Sequence, residues 1–155
     1  MVKNTKLNFL IPMISSVNGK PLLNLSQELV NKLNIKTNDT IEDYRDQIPD
    51  YTFADVLNEL FDSVSFSSNK HFSSYNNILI DIRNAKKKEL DYIDIEKSDL
   101  EIIKTILEKA VEIPHAPDRP IINRKAAFII EVIDQCIADI VLENKQPEPE
   151  IPETT

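Results

Sequence analysis

Apolar residues recur with two different periods along this chain, and each period predicts a different element. Near the N-terminus, Leu7, Phe9, Ile11 and Met13 alternate with other residues, which is typical of a strand with one buried face. From residue 52 onward, apolar residues recur every three or four positions, as they do along one face of an α-helix. The chain is therefore predicted to begin with a β-segment and to continue as helices.

The N-terminal strand is expected to turn back on itself and form a hairpin over residues 6–24. Asn18-Gly19 is a pair favoured in tight hairpin turns, and this glycine is the only one in the chain. Pro12 and Pro21 lie in the two arms and have no N–H to donate, so each arm is expected to have a side that pairs with no other strand. This pattern is typical of a small edge element.

The helical part contains strong start signals. Thr52 with Asp55 has the spacing of an imperfect capping box, and Ser98 with Glu101 matches a full one. Ser26 is suited to cap a shorter helix before them. The longer helices are predicted near residues 52–65, 74–89, 98–112 and 121–143. The predicted fold class is α+β, mainly α, with an N-terminal β-hairpin packed on a small helical bundle of about five helices.

Length and composition indicate one domain with a tail. The chain has 155 residues, of which 41% are hydrophobic and 28% charged, as in ordinary globular domains. We expect a single globular domain over residues 1–145. Residues 146–155 alternate proline with glutamate and have almost no apolar surface to bury, so they are predicted to form a disordered acidic tail.

Charge and cysteine content narrow the choice of partners. With 18 basic and 26 acidic side chains the net charge is −8, so nucleic acid is not an expected partner. A single cysteine forms no internal disulfide, which favours a reducing compartment.

Asn8 and Pro12 interrupt the N-terminal apolar run, so we interpret it as a strand and not as a secretion signal. No apolar stretch is long enough for a membrane span, and a membrane partner is not expected.

The candidates for chemistry are few. His115, Asp118 and Arg119 share a proline-rich connection and could act as a base, an orienting acid and an anion-binding group, but a stiff connector between helices is the favoured interpretation. The acidic stretch from Asp91 to Glu101 lacks the ligand order and glycine of a calcium loop. Cys136 lies among apolar helix residues, where burial suppresses thiol reactivity. We assign no catalytic, cofactor or metal residues, and we do not expect an enzyme.

Two aromatic residues in the Ser-rich segment 65–74 are the candidates for partner binding. Phe66 and Phe72 fall where the sequence predicts an exposed loop. Their rings either fold back over the helices or contact another protein, and exposed aromatic rings are frequent anchors in interfaces. We therefore name Phe66 and Phe72 as candidate partner-binding residues.

Several features together carry a family resemblance. Residues 91–100 read Asp-Tyr-Ile-Asp-Ile-Glu-Lys-Ser-Asp-Leu, and residues 124–133 read Arg-Lys-Ala-Ala-Phe-Ile-Ile-Glu-Val-Ile. With the opening hairpin, these segments resemble the acidic lead into a capped helix and the closing helix of a loose group of small uncharacterised proteins of tailed bacteriophages. The group carries no catalytic residues to transfer to this chain.

The residues that the sequence lacks and the resemblance together set the expected function. The absence of nucleophile–base pairs, metal clusters and glycine loops leaves protein–protein interaction as the expected, non-enzymatic function. The resemblance adds the setting of a minor virion component or an assembly factor such as a tail-assembly chaperone. The expected location is the host cytoplasm or the virion. The alternative is a free phage protein that binds and inhibits a host or defence factor, a role that suits an acidic domain because nucleic acid does not compete for it.

Overall fold

The computed structural model describes residues 4–15, 17–111 and 119–145. The tail predicted for residues 146–155 lies outside the described residues. The elements in chain order are β1 (Asn4–Asn8), α1 (Gln27–Leu33), α2 (Phe53–Leu60), α3 (Asn69–Lys87), β2 (Tyr92–Glu96), α4 (Lys97–Val111) and α5 (Arg119–Lys145), with 3-10 helices at Ile41–Gln47 and Phe61–Ser63. The fold is mainly helical with a small antiparallel sheet, which confirms the predicted fold class.

The sheet joins two distant parts of the sequence. β1 pairs antiparallel with β2, with Leu7 opposite Ile93 and Thr5 opposite Ile95. The expectation that the first hairpin arm would find its regular partner in the returning arm is wrong. The partner is a segment whose sequence resembles only an acidic lead into a capped helix. Its alternation of buried Ile93 and Ile95 with exposed Asp94 is that of a strand with one buried face.

The predicted reversal at Asn18-Gly19 is present, but it is short. Ile14 and Pro21 form an isolated bridge, and the Leu22 N–H donates to the Met13 carbonyl at 2.8 Å. Gly19 has a φ of 71°, a left-handed conformation that costs glycine little because it has no Cβ. The reversal therefore forms where the sequence predicts it, without extended strands on either side.

The chain between β1 and this reversal is bound to the start of α2. The Ala54 N–H donates to the Phe9 carbonyl at 3.0 Å, and the Phe53 N–H donates to the Ile11 carbonyl at 2.8 Å. The Met13 N–H in turn donates to the Tyr51 carbonyl at 2.8 Å. These backbone bonds fix residues 9–13 along α2, although Pro12 has no N–H of its own.

Two predicted helix starts are confirmed. Thr52 and Asp55 form the capping box of α2, in which the Thr52 N–H donates to the Asp55 carboxylate at 2.9 Å. Ser26 caps α1, because its hydroxyl oxygen accepts the Leu29 N–H at 3.2 Å. Both caps occupy backbone N–H groups that have no partner within the helix.

Two other helix starts differ from the prediction. α3 begins at Asn69 and not near residue 74, because the Ser68 hydroxyl accepts the His71 N–H at 3.2 Å and caps the helix earlier. α4 begins at Lys97 directly after β2, so Ser98 lies inside its first turn and is not the cap. The Ser98 hydroxyl donates instead to the Glu96 carboxylate at 3.4 Å.

The buried side chains form one core between the sheet and the helices. β1 contributes Leu7, and α4 contributes Leu100, Ile103 and Leu107. α5 is 27 residues long and presents a buried stripe that packs on α4 and α2. The stripe consists of Ala126, Ile129, Ile133 and Ile140. The prediction that the last helix is a central core helix is confirmed.

Tyr75 on α3 provides a test of this packing. Its ring is fully buried, and its hydroxyl donates to the Leu57 carbonyl of α2 at 2.6 Å. Burial raises the pKa of this hydroxyl, which therefore stays protonated and able to donate. Tyr75→Phe is expected to lower the free energy of unfolding by about 1–2 kcal/mol, because it removes a buried hydrogen bond while keeping the ring.

Tyr44→Phe is the matched control, since it removes an exposed hydroxyl that donates to Asp39 at 3.0 Å. This control should change the free energy of unfolding by no more than about 0.5 kcal/mol. Urea denaturation measures both variants. Equal losses in the two would contradict the assignment of Tyr75 as a buried link between α2 and α3.

Candidate functional site

A groove runs along α5 beneath the N-terminal segment, and we call it the α5 groove. Its volume is about 1060 Å³. On the N-terminal side its lining residues are Lys6, Asn8, Ile11, Pro12, Met13, Ile14, Ser15, Val17 and Leu22. On the helix side they are Arg124, Ala127, Phe128, Glu131, Val132, Gln135, Cys136 and Asp139. Most of the lining is apolar, and the charged side chains in it are Lys6, Arg124, Glu131 and Asp139.

The two walls of the groove are held apart by α2. Residues 9–13 are hydrogen-bonded to the start of α2, and α2 packs directly on α5. On α5, Phe128 meets Phe53 edge to face at a centroid distance of 6.4 Å, and Lys125 bridges to Glu59 at 2.9 Å. The N-terminal segment therefore lies beside α5 with a gap between them, because α2 supports both.

Large apolar side chains at the groove entrance face solvent. Val17 is 94% exposed and Ile14 is 51% exposed, while Leu22 is also exposed. All three belong to the short reversal around Asn18-Gly19. Single exposed apolar residues are ordinary, but adjacent ones beside an apolar groove are typical of a binding surface. In the sequence this surface is indicated only by Val17, an apolar residue beside the predicted hairpin turn.

Four charged side chains among the described residues line the groove. Along its α5 wall Arg124 lies at the start, Glu131 at the middle and Asp139 at the end, and Lys6 lies on the N-terminal wall. The Lys6 ammonium lies 4.6 Å from the centre of the Tyr92 ring, in a cation–π contact. The α5 wall is therefore positive at its start and negative from its middle to its end.

Cys136 is half-buried in the wall of this groove and does not lie fully in the core as predicted. It still packs against the edge of the core. Burial raises the pKa of its thiol, and the Asp139 carboxylate one turn away raises it further. The thiol is therefore protonated at neutral pH and is a weak nucleophile.

Phe66 and Phe72 lie together in an aromatic cluster. Their ring centres are 5.3 Å apart, and both rings contact Phe61, at 5.5 Å from Phe66 and 5.6 Å from Phe72. Phe66 also contacts Tyr75 at 5.7 Å. Phe66 is half-buried against the core, whereas Phe72, in the first turn of α3, is 43% exposed. The rings fold back over the helices, as one of our two interpretations proposed. Their role in partner binding stays a prediction, with Phe72 presenting the more accessible ring.

The other candidate residues lie either outside the described part of the chain or in a small acidic depression. His115 and Asp118 lie outside the described residues, as does the side chain of Arg119. Within the acidic stretch, Asp94 and Asp99 lie near Asp81 around a depression of about 230 Å³. Among the residues that the structure describes, no group of histidine, cysteine or acidic side chains is arranged to hold a metal ion.

No family model, curated protein or solved structure matches this chain. The groove and its lining must therefore be interpreted from their own geometry. Within the described ranges, none of the helices combines the length and apolar character needed to cross a membrane.

The aromatic cluster predicts different costs for its two outer rings. Phe66→Ser should lower the free energy of unfolding by about 1–3 kcal/mol, because a half-buried ring is lost from the core edge. Phe72→Ser should cost less than about 1 kcal/mol, since much of that ring already faces water. Thermal and urea unfolding of both variants measure the difference. A larger loss for Phe72→Ser would reverse the assigned roles.

The environment of Cys136 predicts slow labelling by thiol reagents. The native protein should react at least about tenfold more slowly than the urea-unfolded chain, because only the thiolate attacks and its formation is disfavoured in the wall of the groove. The native rate should rise with pH, since a raised pKa moves thiolate formation to more alkaline conditions. Stopped-flow labelling from pH 7 to 10 measures this. Equal native and unfolded rates would place the thiol in open solvent.

Proposed function

We propose that this protein functions by binding other protein chains, and that the α5 groove is its binding surface. The observation that carries the proposal is the exposed apolar entrance of the groove, formed by Ile14, Val17 and Leu22. An apolar centre with a polar rim is the usual composition of a protein interface. Because the reversal projects these side chains outward, their burial requires another molecule.

The fold supports this role through rigidity. The groove is built from a long helix and from a segment fixed by backbone hydrogen bonds to the start of α2. A preformed surface loses little conformational freedom on binding, so more of the apolar burial contributes to affinity. No chemistry by groove residues is needed for this function, and we propose a non-enzymatic protein.

The resemblance to small proteins of tailed bacteriophages suggests the setting. We propose a minor virion component or an assembly factor, for example a tail-assembly chaperone, acting in the host cytoplasm or in the virion. Such proteins work by presenting defined surfaces to other chains, which agrees with an exposed apolar groove on a stable helical support.

A second candidate is a free phage protein that binds and inhibits a host or defence factor. The net charge of −8 favours this alternative, because an acidic protein is repelled by nucleic acid and remains available for a protein target. The two candidates differ in where the protein is found after assembly: incorporated in particles, or free in the lysate.

Substitution at the entrance of the groove tests the proposal in the phage that encodes the protein. Ile14→Asp and Val17→Asp, made separately, should reduce incorporation into particles or particle yield by about tenfold or more. The reason is that loss of an apolar anchor from an interface costs roughly 2 kcal/mol of binding free energy. Quantitative mass spectrometry of purified particles and plaque counts provide the measurements. Both variants should melt near the wild-type temperature, since these side chains are exposed.

Ile80→Asp is the matched control, because it introduces the same change at an exposed isoleucine on α3, away from the groove. It should leave incorporation and yield unchanged. If the wild-type protein is detected only in the particle-free lysate and the groove variants reduce phage fitness, the inhibitor alternative is favoured. Wild-type behaviour of both groove variants would refute the groove as the binding surface.

A further inference from the structure

The eight residues that α5 contributes to the groove are placed symmetrically along the helix. Their midpoint lies between residues 131 and 132. Arg124 lies as far before this point as Asp139 lies after it, and Phe128 and Gln135 form a second such pair. Two copies of such a face fit together when the helices run antiparallel, because a two-fold axis through the midpoint places each position opposite its counterpart.

The charges at the two ends of this face are opposite and uncompensated. Arg124 is exposed and forms no ion pair with any residue in the described ranges. Asp139 is exposed and accepts a hydrogen bond from the neutral Gln135 amide at 3.0 Å, which leaves its charge unpaired. Under the two-fold arrangement each arginine meets the aspartate of the other chain, so the two ends are complementary.

We infer that the occupant of the α5 groove is a second copy of this chain, docked with the two α5 helices antiparallel. Arg124 of each copy then pairs with Asp139 of the other, and Phe128 packs against the aliphatic part of Gln135. This inference deepens the proposed function and rests on it, since it names the partner of the same groove. The charge pairs set the register, because sliding the helices by one turn separates them.

The apolar contacts of this dimer are limited in area. Phe128, Val132 and the exposed Ile14 form its centre, whereas Glu131 of each copy lies near the two-fold axis at the rim, where like charges repel. The helix face from Arg124 to Asp139 is about 22 Å long at 1.5 Å per residue. We expect a face of this length to bury less than the roughly 800 Å² per partner of a standard interface, and we expect a weak dimer with a Kd on the order of 10–100 µM.

Sedimentation equilibrium of the full chain at low salt tests the inference over about 1–500 µM, a range that spans the expected Kd. The average mass of the wild type should rise from 17.8 kDa toward twice that value. Arg124→Asp and Asp139→Arg, made separately, should each weaken dimerisation at least about tenfold, because each places two like-charged pairs in the interface. The double variant Arg124→Asp with Asp139→Arg should return to within about threefold of the wild type, since both pairs are restored with reversed polarity.

Two controls separate this effect from a general effect of net charge. Arg83→Asp and Asp81→Arg make the same charge changes at exposed positions on α3, outside the groove. Each should change the dimer Kd by less than about threefold, through long-range electrostatics alone. Thermal melting of all variants should remain close to the wild type, because every substituted side chain is exposed.

Three results would overturn the inference: a wild type that stays monomeric throughout the range, single groove variants that dimerise as well as the wild type, or a double variant as weak as either single variant. These outcomes are distinguishable from failure of the proposed function. If the wild type is monomeric while Ile14→Asp still blocks particle incorporation, the groove binds a different protein. If the charge variants change dimerisation as expected while the groove variants leave particle assembly unchanged, the self-association stands without the proposed role in assembly.

Discussion

The antiparallel pairing of β1 with β2 is the interaction on which the rest of the structure depends. It places Leu7 in the core beside Ile93 and Ile95, and it fixes the direction in which the chain leaves β1. From there the backbone bonds to the start of α2 set the path of residues 9–13. The groove lies between this path and the side of α5 where Phe128 and Val132 are only half-buried.

α5 therefore serves two purposes with two sides of one helix. Its buried stripe, which includes Ile129 and Ile133, fills the core against α4 and α2. The adjacent face, which includes Phe128 and Val132, is only half-covered by the N-terminal segment. Salt bridges at the flanks hold the helix in this orientation: Lys104 of α4 meets Asp134 at 2.6 Å, and Lys125 meets Glu59 of α2 at 2.9 Å. Rotation of α5 would break both bridges and bury the groove face.

Local patterns predicted the helices well because helix formation depends on neighbours in sequence. The apolar period and the Thr52 capping box located α2, and the Asn18-Gly19 pair located the reversal. The partner of β1 and the groove could not be derived in this way, since both depend on which distant segments meet. Phe72 shows a different limit: several serines of the segment 65–74 are suited to cap a helix, and the cap at Ser68 places Phe72 in the first turn of α3 and not in the predicted loop.

The separation of β1 from β2 in the sequence has a consequence for biosynthesis. Residues 4–8 leave the ribosome long before residues 92–96, and synthesis proceeds at about 5–20 residues per second, so the first strand waits for several seconds without its partner. During that interval α2 and α3, which are close in sequence, have time to pair, while the apolar side of β1 remains uncovered. The nascent chain thus passes through a stage in which its N-terminal segment exposes apolar side chains. Because β2 is translated late, the pairing of β1 with β2 is a late event.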